Sequence, residues 1–125
     1  MAFVLDTSST YYWPVVFYIP VDDEEKQKIE FTAQYKRLPQ KRINQIRKIA
    51  NKMVLDMQNG IDNTDISDIN IADEIICGWK NVIDPEGNEL KYNPENKEKF
   101  LNFPMLATAV VETYFNSLVE EKRKN

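Results

Sequence analysis

The chain contains no histidine. That absence excludes Ser-His-Asp and Cys-His catalysis and every metal site built on an imidazole. There is one cysteine, Cys77, so no disulfide forms within the chain and a four-sulfur zinc site is excluded. Cys77 lies in the apolar run Ile75-Ile76-Cys77 and reads as a buried, unreactive thiol. With three glycines in 125 residues, a glycine-rich phosphate loop is not expected. No stretch approaches the roughly 18 apolar residues of a membrane span. The opening "MAFVLDTSST" has no basic n-region and predicts no secretory signal. These absences lead to a cytoplasmic protein with no catalytic residues, no cofactor, no metal and no membrane contact.

What is present suits one globular domain over residues 1–125: 42% apolar residues and 29% charged, with six Tyr, six Phe and two Trp to bury. The run "YYWPVVFYIP" at 11–20 is aromatic and β-branched and predicts a strand, with Pro14 placing it at an edge. After the polar turn "VDDEEKQ", Ile29, Phe31, Ala33 and Tyr35 alternate with polar residues and predict a second strand, paired with the first as a hairpin. Leu38-Pro39 ends it. Ile43, Ile46, Ala50, Met53 and Met57 then follow helical spacing to a stop at Asn59-Gly60.

A short helix capped by Asp68 or Asn70 is expected over Ile71, Ile75 and Ile76, stopping at Gly78. "DPEGNE" at 84–89 fails the register of a calcium loop and reads as a turn, with a small second hairpin near 80–92. Asn93-Pro94 starts a further helix, Phe103-Pro104 interrupts it, and a last helix carries Leu106 to Leu118. The fold class is thus α+β: an N-terminal antiparallel hairpin followed by a mainly helical bundle of about four helices. Trp13, Phe31, Tyr35 and Trp79 are expected to be mostly buried.

Charge is segregated along the chain, whose net charge is −4. From Phe31 to Met53 there are Lys36, Arg37, Lys41, Arg42, Arg47, Lys48 and Lys52 and no acid. From Met53 to Trp79 there are Asp56, Asp62, Asp65, Asp68, Asp73 and Glu74 and no base. Single-stranded nucleic acid would want aromatics interleaved with the basic charge, and the nearby Phe31 and Tyr35 belong to the core face. Adjacent blocks of opposite sign rank protein contact, including contact between copies as a homo-oligomer, ahead of nucleic acid. Lys41, Arg42, Arg47, Lys48 and Lys52, with the adaptable Met53 and Met57, are the candidate partner-binding residues.

Several stretches together resemble the tail assembly chaperones of long-tailed, siphovirus-type bacteriophages. They are the Trp13-Pro14-Val15 opening, the Phe31–Pro39 strand, the segment from Gly78-Trp79 to Asp84-Pro85-Glu86-Gly87, and the Pro104–Phe115 helix. The resemblance implies a non-enzymatic protein of the infected or lysogenic bacterial cytoplasm, absent from the mature virion. It implies binding to the tape measure protein and recruitment of tail tube protein through a longer, frameshifted form. Arg123-Lys124-Asn125 permits an A-rich slippage site for such a product. Two alternatives stand beside it: a structural head–tail joining or tail protein that stays in the virion, and a small nucleic-acid-binding regulator using the basic 36–52 segment.

Overall fold

The structure is a computed structural model that describes residues 2–60 and 68–119, with the side chains of Met53, Val54 and Met57 outside the description. Strand β1 (Thr10–Val21) turns through the single 3-10 turn Asp22–Glu24 into β2 (Glu25–Lys36). Helix α1 (Gln40–Gln58) follows, then α2 (Asp68–Ile75), β3 (Ile76–Lys80), α3 (Pro94–Leu101) and α4 (Leu106–Ser117). The sheet order is β1-β2-β3, antiparallel throughout. The expected α+β class, hairpin first and four helices after it, is what the chain forms.

The hairpin runs in unbroken register from Thr10↔Lys36 to Val21↔Glu25. The Arg37 amide donates to the Ser9 carbonyl, so odd residues of both strands point their backbone groups at each other. The even residues of β1 therefore face the open edge. Pro14 and Pro20 are both even, which explains how two prolines sit in one strand: the donors they lack would have had no partner. They also blunt that edge against pairing with another chain.

Helices cover one face of the sheet. Val15, Phe17, Phe31, Ala33, Tyr35 and Ile76 meet Phe100 and Leu101 of α3 and Leu106, Val110, Val111 and Tyr114 of α4, and all are buried. Tyr35 stacks against Tyr114 at 5.1 Å between centroids and donates its hydroxyl hydrogen to the Val110 carbonyl at 2.8 Å. Burial pushes the Tyr35 phenol far above its ordinary range, so it stays a donor. Tyr114 returns the arrangement, donating to the Lys36 carbonyl at 3.0 Å. A buried polar atom without a partner would cost about 1–3 kcal/mol, and these crossed bonds remove that cost while fixing α4 on the strand end.

Three expectations change. The helix from Asp68 stops at Ile75, and Ile76–Lys80 is a strand. The Ile75-Ile76-Cys77 run looks like a helix end, but Ile76 pairs with Tyr35 and Cys77 is the extra residue of a bulge before Gly78 pairs with Gln34. A side chain at Gly78 would collide with the Gln34 carboxamide, which lies across the sheet and donates to Thr10 Oγ1 at 2.9 Å. Trp13 is 42% exposed although it shares the parity of Val15: it sits on the edge strand of the sheet and meets the Tyr11 ring edge-on at 6.3 Å. Trp79 is half-buried against Phe100 and Tyr92, with its indole N–H on the Leu90 carbonyl at 2.7 Å; Phe31 and Tyr35 are buried as expected. Cys77 is half-buried rather than buried, and desolvation holds its thiol above the ordinary range.

The 80–92 region is a short bridged turn. Ile83 pairs with Glu89, and the Asp84 carboxylate accepts from the Glu86 and Asn88 amides. Asn93 caps α3 through its side chain, which accepts from the Asn96 amide at 2.7 Å, with Pro94 in the first turn. Phe103-Pro104 separates α3 from α4, as read from the sequence.

Candidate partner-binding surface

Helix α1 carries the basic block from Lys41 to Lys52, and its first half is anchored by apolar packing. Ile43 and Ile46 are buried and Ile49 is half-buried, whereas beyond Ala50 the one buried residue among the described side chains is Asp56. Leu55 stands 57% exposed on this second half.

The basic residues fall into two groups. Arg42 is committed to the fold: its Nε and Nη2 reach the two carboxylate oxygens of Glu74 on α2, each at 2.7 Å. That fork holds the Glu74 carboxyl below its usual range through its hydrogen bonds and raises Arg42 for the same reason. The basic and acidic blocks thus meet inside one chain at this point, where the sequence pattern suggested a contact between copies. Arg47 lies over the Phe115 ring, 5.2 Å from its centroid, and ties α1 to α4. Lys52 bonds Asp56 one turn on, at 2.9 Å. Lys41 and Lys48 are exposed and have no ion pair among the described residues. The side chains of Met53 and Met57 fall outside the described residues, as do Asp62 and Asp65 of the acidic block and Arg123-Lys124-Asn125.

A second surface was missed in the sequence. Among the described residues, the helices leave the outer face of the sheet bare. On β1 that face carries Tyr12, Pro14, Val16, Tyr18 and Pro20, with Tyr12 at 46%, Val16 at 41% and Tyr18 at 51% exposure. Opposite them on β2 stand Gln34, Thr32, Glu30, Lys28 and Lys26. Lys80 of β3 places its ammonium 3.9 Å from the centre of the Tyr12 ring. The signal was available: "YYWPVVFYIP" is apolar at both parities, so both faces of β1 want cover. No three His, Cys, Asp or Glu side chains come together as metal ligands among the described residues, and no described helix is long and apolar enough to cross a membrane.

These features define a class: a two-layer α+β domain whose sheet is covered on one side by the described helices, with an exposed apolar face and a basic helix. Residues 31–115 match the family described as YdaY prophage protein, and the chain belongs to that family. The match begins in the middle of β2, so β1 lies outside it. No curated protein and no solved structure matches the chain.

Proposed function

We propose that this prophage protein is a tail assembly chaperone that binds the tape measure protein, and that a longer frameshifted form recruits tail tube subunits. The observation that carries the reading is the bare outer face of the sheet. A sheet with helices on one side and an apolar-aromatic stripe on the other accepts an amphipathic helix as a third layer. A tape measure protein is a long, largely helical chain that cannot bury its apolar surface alone, and it supplies such helices in series. Tyr12, Val16 and Tyr18 are the contact residues of this reading, and the lysines around them suit a helix whose polar flank is acidic. The resemblance of the Trp13-Pro14-Val15 opening and of the Pro104–Phe115 helix to that chaperone family supports the same assignment.

The test is mass spectrometry on purified virions and on the lysate from which they came. The chaperone reading expects the chain in the lysate, bound to the tape measure protein, and absent from virions. Stoichiometric recovery from virions would favour a structural tail or head–tail joining protein instead. DNA binding that weakens steeply with salt would favour the regulator.

A further inference from the structure

Among the described residues two sheet edges are open, and they differ. The edge of β1 is blunted by Pro14 and Pro20. The edge of β2 is free where β3 ends: the last pair is Thr32↔Lys80, and Asn81, in the left-handed region at φ 66, turns the chain away. By the alternation set at Arg37, the backbone groups of Lys26, Lys28 and Glu30 point at this open edge. Beside it lies a groove of about 410 Å³, lined chiefly by Ile29, Phe31, Ile83, Leu90, Phe100 and Phe103, with Lys99 at its rim. An unpaired strand edge next to an apolar groove is the arrangement to which extended peptides add as an extra strand.

Ahead of β1 the chain also carries an exposed apolar segment. Phe3, Val4 and Leu5 are 85%, 78% and 77% exposed, ahead of a turn in which the Ser8 amide and hydroxyl bond the Asp6 carboxylate. We propose that the arm Phe3–Asp6 of one copy adds to the free edge of β2 in a second copy, beyond the last β3 pair at Thr32. An antiparallel register that sets Phe3 opposite Phe31 sets Leu5 opposite Ile29, so both apolar side chains enter the groove. It then sets Asp6 opposite Lys28, an opposite-charge cross-strand pair. The lysines at 26 and 28 deter an arbitrary strand and favour one that brings a carboxylate.

The arm cannot make this contact within its own chain. Thr10 pairs with Lys36, at the far end of β2 from Ile29 and on its other side. Leu5 would need to travel roughly 25 Å, seven residues along the sheet and two strand spacings across it, and the five residues from Leu5 to Thr10 span at most about 18 Å. The contact is also heterologous, since the arm of each copy occupies a different surface on the next.

The experiment uses full-length chains: wild type, an arm variant (Phe3→Asp with Leu5→Asp) and a groove variant (Ile83→Asp). Ile83 is 65% exposed, so its replacement spares the core. In sedimentation velocity the wild type should associate as concentration rises, and each variant alone should stay monomeric. An equimolar mixture of the two variants should form a 1:1 dimer, because one intact arm meets one intact groove. A labelled peptide of residues 2–8 should bind the arm variant and bind the groove variant about tenfold more weakly or worse, as expected for losing one buried aliphatic contact. A monomeric wild type overturns the proposal, whether its groove then stays empty, takes its own arm or takes only a peptide from another phage protein. Association that survives both variants overturns it too, and locates the contact in the charged blocks.

Discussion

The two faces of strand β1 are almost equally apolar, and they have opposite fates. Val15 and Phe17 on one side are sealed beneath α4 and the Phe103 corner, while Tyr12, Val16 and Tyr18 on the other remain in solvent. The contrast shows that hydrophobicity along a strand does not choose the core. The choice is made by which side the later helices pack on, and here all the described helical burial goes to one side. An apolar face left bare in this way is either a cost in solubility or a surface with a partner, and the chaperone reading takes the second.

Substitutions can break that comparison from either side. The largest effect belongs to the covered face. Phe31→Ala, which removes the ring packed edge-on against Phe100 at 5.1 Å, should cost about 3–5 kcal/mol in a denaturant melt. A loss below about 1 kcal/mol would mean that the covered face is not the core. Next comes Tyr35→Phe. It keeps the ring and removes only the hydroxyl on the Val110 carbonyl, so about 1 kcal/mol is expected by the same measurement.

Glu74→Gln tests the ion pair that draws the acidic and basic blocks together within the chain. The carboxyl is lowered in the folded state, so its contribution is present above the ordinary glutamate pKa of about 4.3 and is lost as pH falls through the lowered value. The stability gap between wild type and Glu74→Gln, smaller than either core effect because the pair is partly solvated, should therefore be open at pH 7 and close in acid. A gap independent of pH would show that the pair is not what holds α1 to α2. The smallest stability effect belongs to the bare face: Tyr18→Ser should stay within about 0.5 kcal/mol of wild type.

Much of the fold was legible because local chemistry decided it. The alternation from Ile29 to Tyr35, the Asn93-Pro94 cap and the Phe103-Pro104 break each act within a few residues, and each appears where its pattern sits. What was not legible depends on distant partners. Ile76 becomes a strand residue because Tyr35 is beside it, forty-one positions away in the chain. Trp13 is exposed on the edge strand of the sheet, and strand parity does not report where the edge lies. The candidate site was legible as a run of charge, but not as a division of labour. Arg42 is spent on Glu74 and Arg47 on Phe115, whereas Lys41 and Lys48 remain available, and only the packing separates these roles.

The most direct test of the account is co-expression of the chain with the tape measure protein encoded in the same prophage, followed by solubility and co-purification. The wild type should keep the tape measure protein soluble and leave the column with it. The variant carrying Tyr12→Ser, Val16→Ser and Tyr18→Ser should fold as well as the wild type by circular dichroism and yet lose the complex. A tape measure protein that precipitates regardless of the wild-type chain, or a complex that survives the triple substitution intact, would contradict the claim that the bare face of the sheet is where the partner binds.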